Sequence, residues 1–400
     1  MQRTRGRRRA RSGSRLLFAL CGFCPSALLA TIISSVDCST RWKPIALVAA
    51  ALVGAVPASA WEIHPHERVH PPVDPSLRED VPVRSVAPHS LRFEEFAPAD
   101  AAIQLALPAQ IAFDGGLEII SEVYADRLSY RPLGSLEEWA TSPLFVNGPH
   151  GTVHSPTAGL FYCADTYNHR LLSFPDVGVD DWASASVIAG VSLNRPHDVL
   201  YDAAADLVYA LNPLDPVVLR FRGFGVGEDA LDLSAAAGGY SRALSLVNGT
   251  LYLAASVRGK VVEVHDFATG TVTVHESYGK IVKASAGSWE TTGFIPNDVE
   301  LYDGWWYLSN FFHPWYASGT DHNRFKLVRF RTWDDLATGN WEELSHFLPD
   351  AQVPYFFTLR GEHLFLTTFN DYNTGDFVYR ITSGLFFDDF ESGDLGGWAQ

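Results

Sequence analysis

Short apolar segments alternate with polar turns along most of the chain, from about residue 101 to residue 382. Each unit opens with a tight polar segment and continues with two apolar runs around a turn, as a β-hairpin requires. The openers stand 41 to 58 residues apart, at Pro108, Pro149, Pro196, Ser241, Pro296 and Pro354. Repeats of this length are typical of radial arrays, in which each four-stranded sheet buries its faces only against its neighbours. The pattern predicts an all-β fold, a six-bladed β-propeller over residues 101–382, with a pair of β-sandwiches as the alternative.

The first 60 residues have the pattern of an export signal region. Arg41 and Lys43 precede an apolar run over residues 44–56, and the small residues 58–60 form a cleavage site. Cleavage after Ala60 predicts a secreted or periplasmic protein. A membrane anchor over residues 16–36 is the alternative, and from residue 61 onward the hydropathy predicts no membrane span.

Two further segments flank the repeats. Residues 61–100 are rich in Pro and read as a linker or arm, in which residues 91–96 predict an edge strand. Residues 383–400 form an acidic, aromatic tail. Its apolar part, residues 385–390, is a candidate for a strand that closes the ring between the last blade and the first.

Charge and cysteine content narrow the function classes. Residues 1–60 hold nine of the 30 basic and one of the 46 acidic residues, so the remaining chain carries a net charge of −24. Such a surface repels phosphate groups, which predicts no nucleic-acid partner. Three of the four cysteines also lie in residues 1–60, and Cys163 stands inside an apolar run, where we expect a buried thiol. We predict a monomer.

The copy that opens at Pro149 carries a family resemblance. Its Pro-His-Gly opener, the Ala-Asp that ends its first apolar run and the later Asn168 and Arg170 resemble an NHL repeat. The Pro296 opener, Pro-Asn-Asp-Val with Asn310 after the next strand, resembles the calcium-ligand segment of paraoxonase-like arylesterases and lactonases. Both families are six-bladed propellers, so the resemblance implies the same fold within the paraoxonase-gluconolactonase-like superfamily. For Asp165, Asn168 and Arg170 we expect turn hydrogen bonds and an ion pair between blades.

One position of the repeat is polar in five of the six copies. The residues directly after the openers are His150, His197, Arg242, Asn297 and Tyr355. The innermost strand of each blade lines the propeller axis, so equivalent residues converge on one funnel. A ring of polar groups from separate blades predicts a ligand site.

Two functions from different classes follow from this ring. In the first, the protein is a noncatalytic binding or scaffold module for a small-molecule, peptide or glycan ligand. Its binding residues are Arg242 and Tyr355 together with an aromatic segment that contains Phe311, Phe312, Trp315 and Tyr316.

The second function, implied by the paraoxonase resemblance, is a Ca²⁺-dependent esterase or lactonase. The candidate metal ligands are Asn297, Asp298, Asn212 and Asp198, whose oxygen atoms suit calcium. His150 or His197 would act as the general base near its ordinary pKa. A cation at Arg242 opposes a metal on the axis.

Overall fold

The computed structural model describes residues 84–85, 91–97, 105–135, 138–277, 279–281, 291–292, 294–310, 326–349, 352–369 and 376–383. All of them belong to the compact unit Trp61–Gln400. The predicted export region 1–60 and the tail residues 384–400 lie outside the described residues, as do Phe311, Phe312, Trp315 and Tyr316. No described helix has the length and apolar character needed to cross a membrane.

The first strands of the chain precede the ring and are followed by three blades. The strands before the ring are β1 (Arg84–Ser85) and β2 (Leu91–Ala97). Blade 1 contains β3 (Pro108–Asp114), β4 (Leu117–Glu122), β5 (Arg127–Pro132) and β6 (Ala140–Thr141). Blade 2 contains β7 (Pro149–Ser155), β8 (Leu160–Asp165), β9 (Arg170–Phe174) and β10 (Ala183–Ala185). After the hairpin of β11 (Val187–Ile188) and β12 (Val191–Ser192), blade 3 contains β13 (Val199–Asp202), β14 (Leu207–Asn212), β15 (Val217–Phe221) and β16 (Asp229–Asp232).

The second half of the ring repeats this order after the short helix α1 (Ser234–Ala237). Blade 4 contains β17 (Leu244–Val247), β18 (Thr250–Ala255), β19 (Lys260–Asp266) and β20 (Thr271–Glu276). The hairpin of β21 (Gly279–Ile281) and β22 (Thr291–Thr292) leads to blade 5, with β23 (Pro296–Tyr302), β24 (Trp305–Asn310), β25 (Leu327–Phe330), helix α2 (Trp333–Thr338) and β26 (Glu342–Glu343). Blade 6 contains β27 (Val353–Arg360), β28 (His363–Phe369) and β29 (Phe377–Ser383). Single 3₁₀ turns cover Thr166–Asn168, Ser256–Arg258 and Ser345–Phe347.

The six sheets close into a ring. Consecutive strands of each blade pair antiparallel, with the first strand innermost. The first strands of neighbouring blades lie side by side in cyclic order, and β27 of blade 6 returns to β3 of blade 1. The prediction of a six-bladed propeller is therefore confirmed, and the sandwich alternative is wrong.

The hydrophobic core lies between the blades because the middle strands bury both faces. In β8, Phe161 and Cys163 pack against blade 1, whereas Tyr162 and Ala164 pack against blade 3. Successive side chains of a strand point to opposite faces, so a strand between two neighbours is apolar throughout. Cys163 is fully buried, as expected, and burial raises its pKa to about 12.

The last blade takes its outer strand from the beginning of the described chain. The strand β2 pairs antiparallel with β29, and Glu94 forms an ion pair with Arg380 across this ladder. The edge strand expected over residues 91–96 is thus present as Leu91–Ala97. Because β2 occupies the outer position of blade 6, that position is not open to residues 385–390, which lie outside the described residues.

Candidate functional site

Five polar side chains stand at the inner ends of blades 2 to 6. We call His150, His197, Arg242, Asn297 and Tyr355 the axial cluster. Each lies within or just before the first strand of its blade, and each is at most 4% exposed. The opener pattern of the sequence therefore places one buried polar residue from each of these five blades at equivalent positions of the ring.

Three aromatic rings of the cluster meet although they come from three blades. The ring centroids of His150 and His197 lie 4.0 Å apart, and each lies 6.2 Å from the ring centroid of Tyr355. His197 and Tyr355 are separated by 158 residues, yet the Tyr355 hydroxyl lies 3.2 Å from Nε2 of His197. The convergence expected from the repeat register is present for these three residues.

One hydrogen bond of His197 fixes a proton on Nδ1. Nδ1 lies 2.8 Å from the backbone oxygen of Arg242, which can only accept, so Nδ1 donates this bond. Nε2 lies 3.2 Å from the Tyr355 hydroxyl, and in the neutral ring it accepts the hydrogen bond that this hydroxyl donates. This arrangement turns Nε2 of His197 toward blade 6.

His150 is held in the same tautomer by its own blade. Nδ1 lies 2.9 Å from the backbone oxygen of Gly148 and 2.8 Å from the Thr166 hydroxyl, which donates to the backbone oxygen of Pro196. Burial lowers the pKa of His150 to about 4, so the ring is neutral at pH 7 with Nε2 as an acceptor. Its pKa therefore does not stay near the ordinary value that the sequence led us to expect.

Thr166 is a member of the site that sequence reasoning missed. It directly follows the Ala-Asp of its repeat, and Ser256 occupies the equivalent place in blade 4. The Ser256 hydroxyl donates to the backbone oxygen of Pro296, as Thr166 does to that of Pro196. An alignment of the repeats could have revealed this role, because the same type of residue, with a hydroxyl side chain, directly follows the second strand in blades 2 and 4.

Arg242 adds a positive charge to the cluster. Its guanidinium carbon lies 5.9 Å from the ring centre of Tyr355 and 5.4 Å from that of Tyr240. Cation–π attraction of this kind holds a buried guanidinium beside aromatic rings. The axial cluster thus combines a cation with two histidines and a phenol.

Asn297 contributes a buried acceptor without a hydrogen-bond partner to the cluster. Its Nδ2 donates to the backbone oxygen of Pro354 over 2.8 Å, which places the side chain against blade 6. Its Oδ1 is buried and has no hydrogen-bond partner among the described residues. Leaving a buried acceptor unpaired costs free energy, and such an atom marks a place where a ligand can donate.

Asp198 and Asp298 connect neighbouring blades. The carboxylate of Asp198 accepts from the backbone N–H groups of Val199 and Leu244, both at 2.8 Å. The carboxylate of Asp298 accepts from the backbone N–H of Val299 at 2.7 Å and from that of Phe357 at 2.8 Å. In both cases one oxygen binds the residue's own blade and the other binds the next blade.

Burial dominates the ionisation of these two acids. It raises the pKa of Asp198 to about 7 and the pKa of Asp298 well above its ordinary value. The negative charge of Asp198 raises the pKa of Asp298 further. On its other side, blade 3 is approached closely by Gly151 of blade 2. A Cβ at this position would lie only 2.5 Å from the backbone nitrogen of Val199, so the close contact of the two first strands requires glycine.

Asn212 belongs to a different repeated feature at the end of the second strand. Its Oδ1 accepts from the backbone N–H of Asn194 over 2.7 Å and so fixes the loop that leads into the first strand. The equivalent acceptors in the other described blades are Glu122, Asp165 and Asn310. The residue therefore has a turn role of the kind expected for Asp165.

The ion pair of Asp165 lies within a blade rather than between blades. Asp165 ends β8, Arg170 begins β9, and their Oδ2 and Nε atoms are 2.6 Å apart. Asn168 donates to the same carboxylate over 2.9 Å. The turn hydrogen bonds expected here are present, but the expected pairing between blades is wrong because both ends of the turn belong to one hairpin.

Most oxygen atoms of the predicted calcium ligands already accept hydrogen bonds from the protein. Among the described residues, no three His, Cys, Asp or Glu side chains group in a way that could hold a metal ion. The carboxylates of Asp198 and Asp298 accept backbone hydrogen bonds, and Asn212 fixes its own loop. Among the predicted ligand atoms of the described residues, Asn297 Oδ1 is the one without a hydrogen-bond partner. A calcium role for these residues stays a prediction.

Comparison with known proteins adds solved structures but no family. No family model matches the chain, and no curated protein matches it. Similar solved structures include a luciferin-regenerating enzyme, with 13% identity and a TM-score of 0.49 over 74% of this chain and 96% of that one. A catalytically inactive virginiamycin B lyase from Staphylococcus aureus with quinupristin has 12% identity and a TM-score of 0.47 over 73% and 99%. A putative gluconolactonase has 13% identity and a TM-score of 0.45 over 78% and 97%.

The sheets themselves define the class of this protein. The chain is a six-bladed β-propeller, which confirms the fold expected from the NHL and paraoxonase-gluconolactonase-like resemblance. The functions of the solved structures named above are not transferred to this chain, because one fold serves many functions. What the site can bind or catalyse follows from the side chains of the axial cluster.

Proposed function

We propose that this protein is an extracytoplasmic binding module whose axial cluster takes a small polar ligand. The observation that carries the proposal is the meeting of His150, His197 and Tyr355 from three separate blades. A structural core would fill this position with apolar side chains, because buried polar groups stabilise a fold poorly. Convergent polar groups in a buried place are the usual composition of a ligand site.

The atoms of the cluster define what such a ligand must offer. Nε2 of His150 and Oδ1 of Asn297 are acceptors, so the ligand needs hydrogen-bond donors. Arg242 favours a carboxylate or another electron-rich group beside the donors. A small molecule, or one end of a peptide or glycan, meets both requirements. A contribution from Phe311, Phe312, Trp315 and Tyr316 stays a prediction from the sequence.

Binding measurements on matched variants test this function. A panel of sugars, hydroxy acids, lactones and short peptides is screened by thermal shift, and each compound that stabilises the protein is titrated by calorimetry. We expect Tyr355→Phe and His150→Asn to weaken binding roughly tenfold, the value of one lost hydrogen bond. His169→Asn, at an exposed turn position, is the control. Unchanged affinity in both axial variants would contradict the proposal.

Hydrolysis at the same place is the second candidate. The two contacts of the His197 ring support it, because an imidazole whose Nδ1–H is held by a backbone oxygen can, in its neutral form, accept a proton at Nε2 and so act as a general base. Ester and lactone turnover is measured with and without Ca²⁺. Turnover that requires calcium and is abolished in Asn297→Ala would favour the calcium-dependent hydrolase, whereas a flat response favours the binding module.

A further inference from the structure

The outer edge of blade 4 differs from those of the other blades. The strand β20 is the last of its sheet, and its outer edge pairs with no other described strand. The outer strands of blades 1, 2 and 3 have only two to four residues, and β26 of blade 5 is covered by β1. At six residues, β20 is therefore a long outer strand with no partner strand on that side among the described residues.

The one fixed charge of β20, Glu276, stands at the end of the strand, and the side chains before it do little to protect this edge. Thr271, Val272, Thr273 and Val274 are uncharged and β-branched, and Val274 is 36% exposed. Proteins usually guard long edges with charges, Pro residues or bulges, since the free N–H and C=O groups can pair with another chain. The other long outer strand, β2, has such guards in Arg92, Glu94 and Glu95 and in a bulge near its end.

We propose that β20 is the interface of a homodimer, in which it pairs antiparallel with β20 of a second copy. In an antiparallel pair, a residue whose N–H and C=O groups point toward the other strand lies opposite a residue of the same kind. In a symmetric pair the two-fold axis therefore passes between a residue and its own copy, and not between two different residues. An axis at Thr273 places Thr273 opposite the second copy's Thr273. Val272 then lies opposite the second copy's Val274, and Thr271 lies opposite its His275.

The side-chain pairs of this register are compatible. Pairs of Thr with Thr and of Val with Val stabilise antiparallel ladders, and no like charges face each other. Glu276 lies opposite Gly270, which begins no strand and offers no charge. An axis one residue later, at Val274, would instead place Val272 opposite a Glu276 carboxylate. The register through Thr273 is therefore the favoured one.

The pairing joins two blades into one eight-stranded sheet and leaves the axial cluster untouched. Six residues per copy bury less than the roughly 800 Å² per partner of a standard interface. We therefore expect a weak dimer whose population rises with protein concentration. This state differs from the monomer that the sequence predicted.

Sedimentation velocity over a wide concentration range tests the interface with residues 61–400. Thr273 is exposed, so Thr273→Lys and Thr273→Asp should both fold. Both lose the contact with His265, and the Asp variant faces Glu263, so their melting temperatures are measured beside that of the unaltered chain. Each variant should stay monomeric, because two like charges meet at the two-fold axis. An equimolar mixture of the two should recover the dimer, since opposite charges then face each other. Thr269→Lys, exposed in the preceding turn, is the control and should dimerise normally.

Three results would overturn the homodimer. One is an unaltered chain that stays monomeric at every concentration. Another is a dimer that both Thr273 variants leave intact, which would place the interface elsewhere. The last is a dimer that forms only after residues 61–83 are removed, which would show that the chain's own arm covers β20.

Discussion

At the scale of single residues, burial decides which protonation state the axial cluster offers. His150 can be buried because the neutral ring costs far less to desolvate than the charged one, and Nδ1 still has its backbone acceptor. The acids at the blade seams respond in the opposite direction, since burial raises the pKa of Asp198 to about 7. At moderately acidic pH both shifts favour the neutral forms of these two groups, which leaves the charge of the cluster to Arg242.

The stability of the protein should report the shifted pKa of His150. The unfolded chain binds this proton near pH 6.5 but the folded chain only near pH 4, so stability is lost as the pH falls across that window. The full difference is about 3 kcal/mol, at about 1.4 kcal/mol per pKa unit. His150→Asn keeps a donor in place of Nδ1 and should flatten this dependence in urea unfolding, whereas exposed His169→Asn should not.

The comparison is made at each pH between a variant and the unaltered chain. The raised pKa of Asp198 acts with the opposite sign, because stability from that group falls as the pH rises from about 4 to about 7. Its contribution cancels in the difference. An unchanged pH dependence in His150→Asn would show that the ring is not held neutral.

Removal of the Asp298 carboxylate should loosen two blade seams. Asp298→Ala leaves the N–H groups of Val299 and Phe357 and the Ser245 hydroxyl without this acceptor, which we expect to cost about 2–4 kcal/mol of unfolding free energy. The exposed Asp232→Ala is the control and should change stability by less than about 1 kcal/mol. If chelation of calcium destabilises the unaltered chain by the same amount, the carboxylate is a metal ligand instead.

At the scale of elements, the strand β2 completes the ring. It covers β29 with seven residues, buries Leu91 and Ala97 at its ends and stacks Phe93 on Phe347 at 4.6 Å. A propeller without its last outer strand exposes a long edge and part of the core between blades. Ring closure in this protein therefore depends on a segment about 280 residues away from its partner strand.

Deletion of residues 61–97 should lower the melting temperature by many degrees, because blade 6 loses its outer strand β2 and blade 5 loses the short strand β1. Deletion of residues 384–400 is the matched control, since it removes no strand that the structure describes. Calorimetric scans of the two truncated chains measure the difference. A larger loss from the second deletion would show that the tail, and not β2, closes the ring.

At the scale of the whole molecule, the repeat in the sequence predicts the architecture because a blade is a local unit. The openers Pro108, Pro149 and Pro296 begin first strands, and the apolar runs between openers form the middle strands. The alternation of Phe161 with Tyr162 requires neighbours on both sides, which a ring provides. The meeting of His150, His197 and Tyr355 followed from their shared place in the repeat.

The roles of the acids could not be read from spacing. The ladder of blade 5 shifts register between Pro296 and Asp298, and at this bulge both Asn297 and Asp298 bind the backbone of blade 6, so the Asp298 carboxylate is occupied by a blade contact. A repeat alignment treats both residues as members of one ligand set. The sequence likewise did not decide whether a segment near residue 91 or one after residue 383 completes blade 6. Pairing between segments that are distant in the chain leaves no local sequence pattern.

Soaking crystals in a library of small polar fragments tests whether the protein binds its ligand at the axis. We expect fragments bound against His150, Tyr355 and Asn297, with a donor group at the unsatisfied Oδ1 of Asn297. Crystals of His150→Phe, which lacks the Nε2 acceptor, should lose them. Fragments that gather elsewhere on the propeller, with none at the axis of the unaltered chain, would show that the axis is not the ligand site.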